Sequence, residues 1–575
     1  MTYSFVRNKK SGMVCLSPEW VVRGQVDPDA LPGLSFTPAF RSLMRGRGME
    51  TSLEVSTFLS PNLGQLKDPR SMKGMGRACE RIASAIETSE TIGVFTDYDV
   101  DGVCSAALLH RFLTGIGCPP PFVFIPDRVS DGYGLNKRGI DELHGRGVKL
   151  LITSDCGITA VEEVSYANSL GMDVIVTDHH EVDSRVPEAV SVINPKQMDC
   201  RFSGEDLCGA GVVFHLIVSL RSLLREKGMT DLPNLRDELD LVAMATVADA
   251  VSLAGVNRIL VKEGLTVLNS SLRAGLAALV KVAGIKKEVI SRDLGYILGP
   301  RINAAGRISD ARKAFDLLTT DDEQNAYLLA QELDGLNRKR QVHEQKVLEM
   351  ALAQLKEQVP ANNVIVVAGN QWHIGVLGIV ASRLTNLFSR PAVVISVADG
   401  NGIGSGRSIA GIDLHMALDR VSGLLNGFGG HKMAVGLSIT TGQIPSFTRA
   451  LDEVVGSLTP EVRKRFEVDL KISPFDLTPE LLEELEQMSP FGEGNPEPVF
   501  MIPSMEVVGK KMFDDGQVKL LLRHSNRVFH ALRCTIDRNF CEDSRFLDVA
   551  FTPVKMRLNG HSYLYLSLKA LSPSP

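Results

Sequence analysis

Hydrophobic residues in the first half of the chain occur at two alternating spacings. Short β-branched runs at 92–96, 150–154 and 174–177 alternate with stretches of helical periodicity such as 78–87 and 105–115. Strands that alternate with helices are typical of a doubly wound parallel sheet. The pattern therefore predicts an α/β fold class with a parallel sheet in this part of the chain.

The pattern changes twice in the second half. Residues 321–358 form a long, largely polar helical pattern with few breakers, which is typical of a connecting helix. The runs at 364–368 and 391–396 begin a second α/β unit. Toward the C-terminus the hydrophobic spacing becomes two, as at 547–551 and 563–568. Several short strands of this kind predict a small β-barrel.

The length of the chain requires several domains. Its 575 residues are too many for one hydrophobic core, and a prior of roughly 150 residues per domain predicts three or four. We divide the chain into an N-terminal arm or cap (1–75), a first α/β domain (76–320), the connecting helix (321–358), a second α/β domain (359–468) and the barrel (469–575).

Composition narrows the classes of partner and compartment. A formal net charge of −6 argues against nucleic-acid binding through the whole surface, but it allows a local basic channel. The nine cysteines include no Cys-x-x-Cys pair, and only Cys200 and Cys208 approach a metal spacing, so free thiols are favoured over a zinc site. Free thiols, the lack of a hydrophobic signal segment and the lack of an apolar membrane span favour a cytoplasmic protein without membrane association.

Acidic and imidazole side chains follow four hydrophobic runs of the first α/β region. The residues concerned are Asp97, Asp99, Asp101, Asp155, Asp178, His179, His180 and Asp249. We interpret the run 241–248, which precedes Asp249, as a fourth strand. Ligand sites collect at the carboxyl ends of strands in a parallel sheet, so these side chains are predicted to meet at one metal site. A lone Asp-x-Asp is a common turn, and the prediction depends on all four clusters together.

The clustered carboxylates indicate hard divalent cations. Carboxylates in one site repel one another unless cations are bound, and Mg²⁺ and Mn²⁺ prefer oxygen ligands, with imidazole shifting the preference toward Mn²⁺. Two cations about 3.5–4 Å apart support phosphoester hydrolysis by activating water and stabilising the phosphoryl charge. If the chain stays extended from Asp97 to Asp101, alternate side chains point the same way.

Three glycine-rich or small-residue segments are candidate anion binders. They span 299–307, 402–408 and 429–432, and they combine exposed backbone N–H groups with side chains that fork onto phosphate. Ordinary loops are an equally good interpretation of each segment alone. The basic triplet 338–340 fits either a solvated helix face or a nucleic-acid contact. The candidate residues are Arg301, Asn303, Arg307, Ser405, Arg407 and His431.

Eight segments resemble a known family. The segments 97–102, 154–157, 178–180 and 246–249 resemble motifs I to IV of the DHH phosphoesterases, with no departure in the metal motifs. The segments 299–307, 405–407, 429–431 and 490–500 are similar to the single-stranded-DNA exonucleases of that family. The resemblance covers about residues 75 to 575, and it implies a parallel-sheet DHH domain joined by a long helix to a smaller α/β DHHA1 domain, followed by an OB-fold barrel.

The resemblance also implies an activity and roles for residues. The activity is 5′→3′ exonuclease action on single-stranded DNA in repair and recombination, releasing 5′-mononucleotides with two Mg²⁺ or Mn²⁺ ions. Asp155 would bridge the ions, Asp101, Asp155 and His180 would be catalytic, and His431 would contact phosphate. The DNA 5′ end would be held by Ser405, Arg407, Arg128, and Arg301 or Arg307. The implied metal ligands are Asp97, Asp99, Asp101, Asp155, His179 and Asp249.

Two alternatives remain open at this point. A phosphodiesterase for short oligonucleotides or cyclic dinucleotides, or a pyrophosphatase, would keep the chemistry, although the long connector and the barrel favour a polymer substrate. A non-catalytic, replication-associated DNA-binding protein would be expected to lose metal carboxylates, and none is missing here. Partner proteins, a single-stranded-DNA-binding protein and a helicase, are suggested by the resemblance alone.

Overall fold

The computed structural model describes residues 19–128, 130–202, 206–270, 273–355, 362–458, 465–513, 517–532, 534–535, 545–558 and 561–574. The described chain forms two compact units. One comprises the described parts of Met1–Pro61, Val462–Phe491 and Asn495–Pro575, and the other comprises those of Asn62–Glu461 and Gly492–Gly494.

Helices and strands are numbered here in chain order. The helices are α1 Pro38–Gly46, α2 Ser52–Leu59, α3 Met75–Glu87, α4 Val100–Gly115, α5 Lys137–Gly145, α6 Val161–Ser169, α7 Gly209–Glu226, α8 Leu239–Ala248, α9 Gly255–Ser270, α10 Ala274–Ala283, α11 Ser291–Asp293, α12 Gly299–Ile308, α13 Arg312–Thr319, α14 Glu323–Leu355, α15 Leu377–Phe388, α16 Leu414–Asp419, α17 Ile444–Leu458 and α18 Pro479–Gln487. The strands are β1 Glu19–Val22, β2 Ile92–Thr96, β3 Phe122–Phe124, β4 Leu150–Ser154, β5 Asp173–Thr177, β6 Ser191–Ile193, β7 Ile365–Asn370, β8 Ala392–Ala398, β9 Asn401–Arg407, β10 Gly427–His431, β11 Ala434–Thr440, β12 Arg465–Val468, β13 Leu470–Lys471, β14 Phe500–Met512, β15 Gln517–His524, β16 Arg527–Ala531, β17 Cys534–Thr535, β18 Phe546–Leu558 and β19 His561–Pro573.

The first sheet has the predicted parallel topology. Its strand order is β3-β2-β4-β5-β6, and every neighbouring pair is parallel. All residues of β2 and β4 are buried, because helices cover both faces of the sheet. The carboxyl ends of β2, β4 and β5 therefore meet at one edge, where the ligand-bearing segments begin.

The predicted fourth strand is wrong. Residues 241–248 lie in helix α8, and Asp249 caps the C-terminus of that helix. A continuous apolar run fits a fully buried helix as well as a buried strand, and periodicity alone cannot separate them. Here α8 packs against α4, α7 and α9 and buries its first eight residues, so its carboxyl end takes the place of a strand end.

Helix α14 confirms the predicted connector. Its 33 residues span about 50 Å at 1.5 Å per residue. The helix packs against α10, α12 and α13 on the side of the first sheet, and against β7 and α15 of the second. In the basic triplet, Arg338 is largely exposed and pairs with Asp334, whereas Arg340 is partly buried against Glu344.

The second sheet has the order β10-β11-β9-β8-β7, with only β7 and β8 parallel. The segments around 402–408 and 429–431, interpreted above as loops with free N–H groups, lie mainly in strands β9 and β10. Glycines alternate along β9 because the sheet face is crowded there; a Cβ on Gly406 would lie 2.6 Å from Val435. This alternation places Ser405 and Arg407 together on the opposite face of the strand.

The C-terminal strands form the predicted barrel. Strands β14, β18, β19, β16 and β15 pair in that order, and β14 pairs with β15 to close the ring. The N-terminal segment belongs to the same unit. Strand β1 runs parallel to β12, and Phe40 and Leu43 share a core with Leu481 and Phe500. Local patterning gave no sign of this long-range packing.

Within the described ranges, no single helix is both long enough and apolar enough to cross a membrane. The bent pair α9 and α10 meets the criteria jointly, by length and composition only. The cysteines described as free include Cys200 and Cys208, both buried, and neither belongs to a group of potential metal ligands among the described residues.

A buried ion pair in the first α/β region should be costly to break. Arg273 Nε donates to Asp240 Oδ2 at 2.7 Å, and the two side chains are only 8% and 1% exposed. Arg273→Met leaves a buried carboxylate without its partner, so we expect a loss of about 3–5 kcal/mol in unfolding free energy. Urea denaturation checks this.

The matched control for this substitution is Arg146→Met. Arg146, the residue after α5, forms an exposed pair with Glu142 and lies 5.3 Å from the Phe122 ring, so its loss should cost about 1 kcal/mol or less. Equal losses of unfolding free energy in Arg273→Met and Arg146→Met would contradict a buried ion pair between Arg273 and Asp240.

Candidate metal centre and its surroundings

Six predicted ligands meet at the edge of the first sheet. Their side-chain atoms form overlapping groups in which all ligand atoms lie within 4.8 Å of one another. Asp155 and His179 each belong to two groups, so they lie between the others. The groups are Asp97 with Asp99 and Asp155; Asp101 with His179 and Asp249; and Asp155 with His179 and His180.

Asp155 occupies the centre of the cluster in a strained conformation. It follows β4 with a φ of 61°, a left-handed value uncommon outside glycine. Strain of this kind gathers at functional sites and turns a side chain where a relaxed strand would not. The N-terminus of α7 comes so close that a Cβ on Gly209 would lie 2.6 Å from Asp155 Cβ. The close packing fixes the carboxylate in place.

The acidic side chains of segment 97–102 are positioned by the start of a helix and not by an extended chain. Helix α4 begins at Val100, so the condition considered above, an extended chain from Asp97 to Asp101, is not met. Asp99 caps this helix by accepting from the N–H groups of Asp101 and Gly102 at 2.9 and 3.2 Å. The helix turn directs Asp101 to the N-terminus of α7, where its oxygens accept from Gly209 N at 2.6 Å and Ala210 N at 2.7 Å. The positive end of α7 stabilises this buried carboxylate.

His179 and Asp249 complete the cluster from the other side. His179 Nε2 lies 3.1 Å from Asp155 Oδ1, and 3.7 Å from carboxylate oxygens of Asp101 and Asp249. Burial and the neighbouring His180 lower the pKa of His179 to about 3, so the ring is neutral and free to bind a cation. Asp249 is the most accessible of these ligands, with 28% of its side chain exposed.

The cluster fits divalent cations. Three buried side-chain atoms of the cluster make no hydrogen bond among the described residues: Asp97 Oδ1, Asp155 Oδ1 and His179 Nε2. Unsatisfied buried polar atoms are rare in native proteins and call for a bound ion or water molecule. Burial and mutual repulsion raise the pKa values of Asp97 and Asp155 well above the usual range, that of Asp101 to about 6 and that of Asp249 to about 9. Bound cations would relieve this repulsion.

Asp178 orients both histidines and is not part of the ligand groups. Its Oδ1 accepts from the backbone of His179 at 2.7 Å and from His180 Nδ1 at 2.7 Å. Burial alone would lower the pKa of His180, but the hydrogen bond to Asp178 and the surrounding carboxylates outweigh it and raise the pKa to about 9. In the metal-free protein His180 is therefore protonated at neutral pH.

Two residues near His180 close this side of the site. His431, at the end of β10, lies with its ring 6.4 Å from the His180 ring and nearly parallel to it. Tyr133 Oη lies 3.2 Å from His180 Nδ1. Sequence reasoning missed Tyr133, because a single tyrosine between two glycines carries no periodicity. The only available signal was its position in a glycine-rich loop ahead of a helix.

Three guanidinium groups converge near the Asp97 and Asp99 side of the cluster. Arg128 lies over the Tyr98 ring at 4.9 Å. Burial and the positive charge of Arg128 lower the pKa of Arg307 to about 10, and the same two causes lower that of Arg407. Arg407 also donates to Ser405 Oγ at 3.2 Å. Positive groups crowded in this way indicate a site for an anion.

Two other predicted substrate residues have structural partners. Arg301 pairs with Asp334 of α14 at 3.0 Å and donates to the carbonyl of Ile297 at 2.6 Å. Asn303 Oδ1 accepts from Val100 N at 3.1 Å, so it holds the first turn of α4. Of the two arginines proposed for the DNA 5′ end, Arg307 is therefore the one that joins Arg128 and Arg407.

Comparison with known proteins agrees with this organisation. The family model for the DHH family, N-terminal domain, matches residues 91–246. The DHHA1 domain model matches residues 361–457, and the RecJ OB domain model matches residues 468–570. The three matches follow one another along the chain in the order predicted from the sequence.

Individual relatives are similar over most of the chain. The single-stranded-DNA-specific exonuclease RecJ of Escherichia coli (strain K12) is 37% identical over 497 residues, covering 83% of this chain and 85% of the relative. The RecJ of Bacillus subtilis (strain 168) is 37% identical over 502 residues, and the chain spans about three fifths of its length, 62%. The crystal structure of RecJ in complex with Mn²⁺ from Thermus thermophilus superposes with a TM-score of 0.82 at 30% identity, covering 95% of this chain and 78% of that one.

The domain order, the extent of the similarity and the shared fold lead to one assignment. The chain belongs to the RecJ family of single-stranded-DNA-specific exonucleases.

Proposed function

We propose that this protein is a 5′→3′ exonuclease that degrades single-stranded DNA to 5′-mononucleotides, with two Mg²⁺ or Mn²⁺ ions, in DNA repair and recombination. The observation that carries the proposal is the cluster of carboxylates and imidazole whose ligand atoms lie within 4.8 Å of one another in overlapping groups, and in which Asp97 Oδ1, Asp155 Oδ1 and His179 Nε2 are buried without a hydrogen bond among the described residues. The RecJ relatives support the substrate, and the RecJ structures with Mn²⁺ and Mg²⁺ support the ions.

The ligand groups divide the cluster into two sides. Asp97 and Asp99 would hold one cation and Asp101, His179 and Asp249 the other, with Asp155 between them. Cations held there would supply activation of a water molecule and stabilisation of the charge on the phosphoryl oxygens. The chain itself holds the ligands rigidly, since Asp101 is tied to the N-terminus of α7. His179 stays neutral and available because burial lowers its pKa.

His180 would act directly on the scissile phosphate. The Nδ1–H group is committed to Asp178, which fixes the ring, and this hydrogen bond favours the protonated form of His180. A protonated imidazole fixed at this position would stabilise a pentacovalent phosphate and could donate a proton to the leaving oxygen. His431 approaches from β10 and is placed to contact the same phosphate.

The arginine group gives a physical reason for action at the 5′ end. Arg128, Arg307 and Arg407 with Ser405 would bind a terminal 5′-phosphate close to the metal cluster. The terminal phosphate carries more negative charge than an internal one, so convergent guanidiniums favour it. Release of mononucleotides would follow if one nucleotide spans the distance from this phosphate to the cations.

The barrel supports a polymer substrate over a small one. On its outer face Lys519 lies 5.6 Å from the Tyr565 ring, and His530 pairs in register with Tyr565 across neighbouring strands. Basic groups next to aromatic rings suit the stacking of unpaired bases. We also infer the domain limits 76–320, 359–468 and 469–575, in keeping with the matched family segments.

Partners and compartment follow from the substrate. An enzyme that consumes single strands needs them exposed and delivered, so we infer a helicase and a single-stranded-DNA-binding protein as partners. We place the protein in the cytoplasm, where the free thiols of the described cysteines suit a reducing environment.

Substitution of Asp155 tests the metal cluster. Asp155→Asn keeps the shape and removes the central charge, so several kcal/mol of charge stabilisation is lost and the rate should fall on the order of 10³-fold or more. Release of nucleotides from a single strand with Mn²⁺ measures this. Asp183→Asn, an exposed acid close in sequence, is the matched control and should be near wild type. An unchanged rate in Asp155→Asn rules out the two-metal proposal.

The labelling pattern of the substrate tests polarity and strand preference. With Mn²⁺, a 5′-labelled single strand should release its label at once as a mononucleotide, and a 3′-labelled strand should release it last. A blunt duplex should resist digestion, and no strand should be cut after chelation. Early release of the 3′ label would reverse the proposed polarity, and equal digestion of the duplex would exclude single-strand specificity.

The raised pKa values predict a pH-dependent stability of the metal-free protein. Asp249 and His180 have folded-state pKa values of about 9, against about 3.9 and 6.5 in the unfolded chain. The folded state therefore binds more protons between about pH 6.5 and 9, and stability falls as the pH rises through that range. The lowered pKa of His179 opposes this only below about pH 6.5.

Thermal unfolding measures this dependence at pH 7 and pH 9. The melting temperature of chelated protein should be lower at pH 9, and Mn²⁺ should diminish the difference because metal ligands bind in their deprotonated form. Asp249→Asn should show a smaller difference than wild type without metal. A melting temperature that rises from pH 7 to 9 without metal would refute the electrostatic account of the cluster.

A further inference from the structure

A short helical turn of the second α/β region lies against the arginine group, Arg128, Arg307 and Arg407. Residues Ile374–Val376 form a 3₁₀ turn that leads into α15, and this turn packs against α12 of the first region. The carbonyl oxygen of Gly375 accepts from Arg307 Nη1 at 3.1 Å, although the two residues are 68 positions apart. The position of Arg307 therefore depends on backbone from the other region of the chain.

Two glycines allow the turn to approach the arginine side chains closely. A Cβ on Gly375 would overlap the carbonyl oxygen of Arg307, and a Cβ on Gly378 would lie 2.9 Å from Arg407 Nη2, closer than real Cβ atoms approach. The two glycines are three positions apart, so they lie on the same side of a helical turn. One short segment of backbone therefore contacts Arg307 and Arg407 at once.

The imidazole of His373 fixes the start of this turn. Its Nδ1 accepts from Gly375 N at 3.1 Å, which is the contact that a capping side chain makes at the start of a helix. Only a ring nitrogen without a proton can accept in this way. Burial and the neighbouring His343 lower the pKa of His373, which favours the neutral ring that the contact requires.

Helix α14 contributes a second contact to the same imidazole. The ring of His343, in α14, lies 4.9 Å from the ring of His373, and the helix packs against the turn. Three segments of the chain, α12, α14 and the turn, thus meet around His373. Its side chain has two separable features, a nitrogen that accepts a hydrogen bond and a ring that packs.

We propose that His373 is a positioning residue for the arginine group. By capping the turn, it holds the Gly375 carbonyl against Arg307 and so sets the separation of Arg307 and Arg407. The proposal rests on the nuclease function proposed above, in which these guanidinium groups bind a terminal 5′-phosphate. A residue that acts through Arg307 should change how strongly that phosphate is preferred over a terminal hydroxyl group.

The preference for a 5′-phosphate measures the effect of His373. The quantity compared is kcat/KM for a 5′-phosphorylated single strand divided by kcat/KM for the same strand with a 5′-hydroxyl group, both with Mn²⁺. His373→Phe keeps a ring beside His343 and removes the accepting nitrogen. The ratio should therefore fall roughly 2- to 30-fold, the range expected for loss of a helix cap.

Two more variants separate capping from packing. His373→Asn removes the ring but supplies an oxygen that can accept from Gly375 N, as asparagine commonly does at the start of a helix, so the ratio should stay near that of wild type. Gly375→Ala leaves His373 in place and forces the turn away from Arg307, so the ratio should fall as in His373→Phe.

The matched control removes a cap of the same kind outside the arginine group. Asp68 caps the 3₁₀ turn Pro69–Ser71, where its Oδ1 accepts from Arg70 N at 3.0 Å, also two residues ahead. Asp68→Ala should leave the ratio unchanged. Melting temperatures identify any variant that has not folded, and Gly375→Ala carries the same prediction if His373→Phe is one of these.

A double substitution tests whether His373 acts through Arg307. In protein that carries Arg307→Met, adding His373→Phe should cause no further fall in the ratio, because both changes remove one interaction. A further fall of the size seen in the wild-type background would show a route that bypasses Arg307, and it would overturn the proposal.

The outcomes distinguish this proposal from the proposed function. If wild type prefers the 5′-phosphate but His373→Phe keeps the full ratio, or His373→Asn loses it, the positioning role is wrong and the nuclease function stands. If wild type digests both strands equally well, the arginine group does not recognise the terminal phosphate, and this proposal fails while nuclease action stands. If wild type digests neither strand, the nuclease function itself fails and this proposal fails with it.

Discussion

Electrostatic repulsion among buried carboxylates is the constraint on which this structure depends. Asp97, Asp101, Asp155 and Asp249 are packed together with few compensating positive groups, and burial raises the pKa of each. A fold tolerates such a cluster only if other parts stabilise it and a ligand uses it. The rigid parallel sheet and the N-terminus of α7 stabilise the cluster. Divalent cations and a phosphate chain are the ligands that use it.

Charged side chains of two kinds lie on opposite sides of the metal cluster. Guanidinium groups of Arg128, Arg307 and Arg407 lie on one side, and the His180–Asp178 pair lies on the other. The net charge of −6 is therefore no guide to substrate, because the positive groups are concentrated where an anion would enter. Family membership and this local arrangement point to the same substrate class.

Much of the fold and of the site follows from local pattern. Asp97, Asp155 and His179 come after short apolar runs, and strand ends in a parallel sheet must meet, so their proximity could be predicted. Asp249 was placed correctly although its helix was predicted as a strand, because only the end of the element matters. The strand around Ser405 was missed because its alternate residues are glycines, which conceal the usual alternation of apolar and polar side chains. Arg301 was predicted to be free to bind substrate because its partner Asp334 is remote in sequence.

The packing of the N-terminal segment against the C-terminal barrel has a consequence for synthesis. Phe40 and Leu43 find their core partners only around Leu481 and Phe500, after an intervening unit of about 400 residues between Pro61 and Val462. At 5–20 residues per second, a ribosome needs roughly 20–80 s to make that stretch. During this time helices α1 and α2 have emerged without their apolar neighbours, so Phe40 and Leu43 stay in contact with water until translation is nearly complete.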